Sequence, residues 1–158
     1  MIKNNKVVLI IVLQFLLLSC GFKPINQKIG EMINFQEITI TGDKEIAYYL
    51  KNNILLISSD NSKNKYNATI AIVKHKTEKI KNTRGKITRY NLNLQASLNL
   101  KNLNNNTEIN RTFSRNTDYE ASSIHSETIN NEKSALKNTI QKISDDIINF
   151  VSISVRDK

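Results

Sequence analysis

The residues from Arg89 to Leu100 alternate without a break. Tyr90, Leu92, Leu94, Ala96, Leu98 and Leu100 fall on even positions; Arg89, Asn91, Asn93, Gln95, Ser97 and Asn99 fall on odd ones. Successive side chains of a strand point to opposite faces, so this segment predicts a strand with one dry face and one wet face. Antiparallel sheets tolerate that arrangement, whereas all-parallel sheets are covered on both sides. Any fold for this chain must therefore supply one apolar layer against the even positions and leave the odd ones in water.

Helices can supply that layer. Ile129, Leu136, Ile140, Ile143, Ile147 and Val151 recur at helical spacing, widened by Ala135 and Phe150, with Lys137, Lys142, Asp145 and Asn149 opposite. The adjacent Asp145 and Asp146 read as part of a solvated face. A second stripe, Ile46, Leu50, Ile54 and Ile57, follows Gly42 and the candidate N-cap Asp43. Three further segments read as strands. Phe35 to Thr41 alternates through Ile38 and Ile40. Ala68, Ile70 and Ile72 start a strand that extends through Lys79. A weaker one, Glu108 to Tyr119, uses Ile109 and Phe113. Turns are expected near Asn82–Gly85 and Asn102–Thr107. The predicted class is α+β: a two-layer sandwich of a four-stranded, mainly antiparallel sheet with two helices on one face, in the order β-α-β-β-β-α. The expected domain spans residues 35–158.

The chain opens differently. Residues 1–6 carry two lysines and no acid, residues 7–18 are apolar apart from Gln14, and Ser19-Cys20-Gly21 follows. This is the order of a secretory signal peptide, assigned to residues 1–19. Twelve helical residues cover ~18 Å, well short of a hydrocarbon core of ~30 Å, so a permanent membrane span is the weaker reading. The only cysteine stands at the end of the apolar run, in Leu17-Leu18-Ser19-Cys20, which resembles a bacterial lipobox. In that reading the Cys20 thiol is acylated, with palmitate among the chains, and becomes the mature N-terminus. Gly21 stands where an Asp often signals retention at the inner membrane, which favours the periplasmic face of the outer membrane. Residues 20–34, with the only proline, read as a lipidated tether.

Composition limits the chemistry. One cysteine excludes a disulfide framework, and four glycines leave no Gly-rich phosphate loop. His75 and His125 have no second histidine or carboxylate at metal-ligand spacing, so no metal site is expected. Ser122, Ser123 and Ser126 near His125 lack the turn signature of a nucleophile, so no catalytic residues and no cofactor are expected. Charge says more. Lys63, Lys65, Lys74, Lys76, Lys79, Lys81, Arg84, Lys86, Arg89 and Lys101 face one acid, Glu78, so residues 63–101 carry ten positive and one negative group, +9. The rest of the chain after residue 19 has 11 basic and 13 acidic groups, −2. Such a segment attracts polyanions in a salt-dependent way, or is simply a lysine-rich solubilising surface. The candidate polyanion contact is Lys79, Lys81, Arg84, Lys86 and Arg89, around the hairpin tip. No Lys/Arg-Gly-aromatic-Gly-aromatic run is present, and export removes the chain from RNA, so nucleic acid is not an expected partner.

Cys20-Gly21-Phe22-Lys23-Pro24 resembles the mature start of the alphaproteobacterial LptE family of lipopolysaccharide-assembly lipoproteins. Thr88 to Leu100 is similar to that family's middle strand, and the terminal helix, preceded by Phe113–Tyr119 and Ser122-Ser123, falls where the family has one. The resemblance implies a non-enzymatic subunit of the outer-membrane lipopolysaccharide translocon, seated in the lumen of an LptD-type β-barrel and binding lipopolysaccharide. A pilotin-like or barrel-assembly accessory lipoprotein is the alternative, and a lipid-tethered periplasmic hydrolase a third.

Overall fold

The computed structural model describes residues 33–156. The expected signal peptide, Cys20 and the tether as far as residue 32 lie outside the described residues. Ile33 and Asn34, at the end of the expected tether, are already buried in the packed domain.

The elements follow the expected order. Strand β1 (Asn34–Thr41) leads to helix α1 (Lys44–Leu55), then strands β2 (Lys65–Lys81), β3 (Ile87–Asn102) and β4 (Glu108–Glu120), and finally helix α2 (His125–Arg156). The sheet order is β1-β2-β3-β4, with β1 parallel to β2 and the other pairs antiparallel. The α1 crossover makes the first pairing parallel; short turns make the rest antiparallel. The class is the α+β sandwich that the alternation demanded.

One face of the sheet is dry. Ala68, Ile70 and Ile72 of β2 stand across from Leu100, Leu98 and Ala96 of β3, all buried. Against them α1 lays Ile46, Leu50 and Ile54, and α2 lays Ile140, Ile143, Ile147 and Val151. The α2 stripe also contains small hydroxyl residues. Thr139 and Ser144 are fully buried, and each bonds the carbonyl four residues back, Ala135 O at 2.7 Å and Ile140 O at 2.8 Å. Ser144 further accepts from Asn53 Nδ2 at 2.9 Å, joining the helices. Ile129 departs from the expected stripe: it is exposed, and packing of α2 begins only at Ala135 and Leu136.

The other face is a wet lattice of amides and hydroxyls. Asn93 Nδ2 donates to Asn116 Oδ1 at 2.7 Å, Asn99 Nδ2 to Asn110 Oδ1 at 2.8 Å, and Ser97 meets Thr112 at 3.2 Å. On this face these cross-strand pairs join β4 to β3 through polar contacts. Asp146 does not belong to a free solvated face. Arg115 of β4 grips it with two bonds of 2.6 Å, because odd positions of β4 point to the helix layer at the sheet edge.

Asp43 caps α1, its carboxylate accepting from Glu45 N at 3.0 Å and Ile46 N at 3.2 Å. The bond from Ile46 holds that carboxyl below the usual range against the opposing effect of burial, with Lys74 assisting. Just before it, Gly42 has φ +121°, and a Cβ there would lie 2.5 Å from the Ile72 carbonyl oxygen. Gly42→Ala is therefore expected to destabilise by more than ~1 kcal/mol in chemical denaturation. Gly85→Ala, at φ +75° but in open space, should cost less.

Candidate functional site

The hairpin between β2 and β3 extends past the end of β1, whose pairing with β2 stops at Thr41 and Ala71. Its tip is built by Asn82. The Asn82 N–H donates to Lys86 O at 2.9 Å, and its side-chain oxygen accepts from Arg84 N and Lys86 N, each at 3.0 Å. This local ring fixes the turn and presents Arg84 and Lys86 outward, both exposed. A register shift between Glu78 and Ile80 re-aims Lys79.

The five candidate residues share this end of the molecule but differ in their partners. Lys79 pairs with Asp118, Lys81 with Glu78 at 2.9 Å, and Arg89 with Glu120 at 3.3 Å. Arg84 and Lys86 have no carboxylate partner among the described residues. Ion pairing continues along most of the basic segment. Lys74, Lys76 and Lys101 pair with Asp43, Glu132 and Glu108. Folding thus brings acids from distant positions onto the +9 segment and partly neutralises it. Among the described residues, Lys63 and Lys65 near the start of β2, like Arg84 and Lys86 at the tip, have no carboxylate partner. The polarity expected from sequence is smaller in space than along the chain.

Beside the tip is an open cleft of about 290 Å³, lined by Lys86, Ile87, Tyr90, Ser122, Ser123 and His125, among others. The structure brings Ser122, Ser123 and His125 together here. The Ser122 hydroxyl is committed to starting α2: it donates to the Glu127 carboxylate at 2.5 Å and accepts from Ile124 N at 3.1 Å. His75 projects from the exposed stretch of β2, on the other face from the helices.

A clamp behind the cleft fixes the hairpin to α2, and sequence reasoning missed it. Lys76 Nζ sits 2.6 Å from Glu132 and 4.5 Å above the Tyr90 ring, which stacks on Tyr119 at 5.4 Å. The Tyr119 hydroxyl donates to the same Glu132 oxygen at 2.8 Å. Burial alone would push the Glu132 carboxyl up, but the bonds from Lys76 and Tyr119 outweigh it and hold the group below its ordinary value. A carboxyl depressed in the folded state adds stability above its unfolded pKa, ~4.3, and loses it as pH falls through the lower folded value. The thermal midpoint of Glu132→Gln should therefore trail the wild type at neutral pH and converge with it below about pH 4. A constant gap would show that charge is not the cause.

No known protein-family profile matches the sequence, and no curated protein matches it either. Solved structures do share the fold. A candidate lipoprotein from Caulobacter crescentus CB15 superposes with a TM-score of 0.59 at 10% identity, covering 83% of this chain and 95% of its own. Rare lipoprotein B from Shewanella oneidensis gives 0.59 at 10% identity, covering 75% and 96%. An uncharacterized lipoprotein B from Nitrosomonas europaea gives 0.53 at 19% identity, covering 84% and 90%. At these identities the likeness establishes the fold alone; these three proteins are described as lipoproteins.

Proposed function

We propose that the protein is an outer-membrane lipoprotein, anchored through acylated Cys20, that serves as a non-enzymatic subunit of the lipopolysaccharide translocon. In this reading it occupies the lumen of an LptD-type β-barrel and binds lipopolysaccharide as it passes. The observation that carries the proposal is a coincidence of two independent features. A lipobox-like Leu-Leu-Ser-Cys closes the leader, and the domain behind it has the fold of structures described as lipoproteins. The wet sheet face suits such a lumen, because large barrels are polar and water-filled inside.

Glycolipid phosphates would meet the hairpin tip. Arg84 and Lys86 are free to pair with them, whereas Lys79, Lys81 and Arg89 must first leave a carboxylate. Exposed ion pairs are weak and screened by solvent, so an incoming polyanion can displace them at small cost. Replacing all five by Gln should weaken lipopolysaccharide binding and flatten its salt dependence. The double variant Arg84→Gln/Lys86→Gln should produce most of the loss, roughly tenfold in affinity. Unchanged affinity in the fivefold variant would remove the ligand from the proposal.

A further inference from the structure

The sheet face turned away from the helices carries no Lys, Arg, Asp or Glu across its middle. From Thr69 to Thr77 on β2, Asn91 to Asn99 on β3 and Asn110 to Asn116 on β4, every second residue points to that face, and none of these is charged. Thr39 and Thr41 extend the patch onto β1. Yet 23% of the chain is charged. The charges of these strands stand elsewhere. Lys74, Lys76 and Arg115 project to the helix side, where they pair with Asp43, Glu132 and Asp146. On the wet face itself the charges are confined to its two ends, Lys101 with Glu108 at one and Arg89 with Glu120 at the other.

The polar groups of the patch are already bonded to one another. Asn93 Nδ2 donates to Ser114 Oγ at 3.1 Å as well as to Asn116, Asn99 Nδ2 reaches both Asn110 and Glu108, and Ser97 meets Thr112. A partner can therefore displace water here without leaving these groups unsatisfied, which is the main cost of covering a polar surface. Solvent-facing surfaces mix charges of both signs, whereas the core of an interface is depleted of them. The patch thus has the composition of a surface that is covered. What covers it is limited by what it lacks. It offers no cation to a polyanion, and Val73 is its one large apolar side chain, too little for a lipid surface. Tyr, Trp and Arg, the anchors of tight interfaces, are absent from it. It runs ~26 Å along the strands and spans at most ~500 Å², below the ~800 Å² per partner of a standard complex. A second copy in free solution would have neither the area nor the anchors to stay. A partner that encloses the domain needs neither, because enclosure keeps the local concentration high.

We infer that this uncharged patch seats the domain on the inner wall of the barrel, against a sector of wall that is itself lined by amides and hydroxyls. The inference rests on the barrel reading proposed above and names the face that meets the wall. Lumen-facing residues of a large barrel are polar, and the wall is itself a sheet, so the contact is sheet on sheet at ~10 Å. Gln95, half-buried at the centre of the patch, has no hydrogen-bond partner among the described residues, which leaves its amide available to bond across the contact. The charged ends mark the limits of the seat. Arg84 and Lys86 lie past the Arg89–Glu120 end, so seating the patch leaves the hairpin tip open to an anionic ligand.

Photo-crosslinking in cells tests the seat. Full-length protein would carry benzoylphenylalanine in place of Gln95, or in place of Lys142 on the exposed side of α2 as the comparison. The expected product is an adduct with the barrel, identified by peptide mass and several-fold stronger from position 95 than from position 142. Gln95→Glu, which is isosteric, and Gln95→Lys place charges of opposite sign at the centre of the patch. Each should reduce the barrel recovered with tagged protein by at least ~tenfold while the thermal midpoint of the purified protein holds, and Gln95→Ser should leave recovery unchanged. No adduct at position 95, an equal or stronger one at 142, or an adduct with a second copy would overturn the inference. So would recovery that either charge leaves unchanged or raises, since the wall would then not be a neutral surface pressed on this face. The wild-type sample separates the two readings. Barrel recovered without an adduct at position 95 removes only the seat, whereas no barrel at all removes the proposed role as well.

Discussion

Cys20→Ala should release the protein from the membrane: wild type fractionates with outer membranes and carries labelled palmitate, and the variant is unlabelled and soluble in the periplasm. The expected effect is close to complete. Each buried methylene contributes ~0.8 kcal/mol, one acyl chain binds marginally, and two or more hold firmly. Among the described residues no helix is long and apolar enough to cross a membrane. A Cys20→Ala protein that stays with membranes through washing at high salt and high pH would contradict the anchor.

The second large effect concerns the layer that the alternating strand requires. Leu94 is 1% exposed at the middle of β3. Leu94→Ala removes methylenes from a site enclosed on all sides, and such truncations cost ~3–5 kcal/mol. That is a large part of the ~5–15 kcal/mol by which a domain is stable. In a domain of this size the thermal midpoint should fall by about 10 °C or more. Gln95→Ala, one residue along on the wet face, should change it little. The pair tests the two-faced strand directly by differential scanning calorimetry, and comparable losses would refute it.

The strands and helices were legible because their apolar residues repeat at the period of the element, and each repeat has one consistent burial. The Arg89–Leu100 alternation is reproduced residue by residue from Leu92 to Leu100. The Ile46, Leu50, Ile54 and Ile57 stripe is buried as its spacing predicts. Ile129 marks the limit of period at the start of α2, where helical spacing continues past the edge of the core.

The charge distribution was the least legible feature. Lys76 meets Glu132, and Arg115 meets Asp146, across separations that no local pattern records. A count along the chain therefore overstated the positive end and singled out Lys79, Lys81 and Arg89 equally with Arg84 and Lys86. The lysine–tyrosine–glutamate clamp was hidden for the same reason: its four residues come from β2, β3, β4 and α2.

The central claim is tested most directly by native mass spectrometry of the protein purified through an affinity tag from gently solubilised outer membranes. The account predicts one dominant assembly, in which a chain beginning at acylated Cys20 is held by a large LptD-type β-barrel with lipopolysaccharide bound. An acylated chain released alone, or bound to a secretin or another assembly complex, would contradict the translocon role.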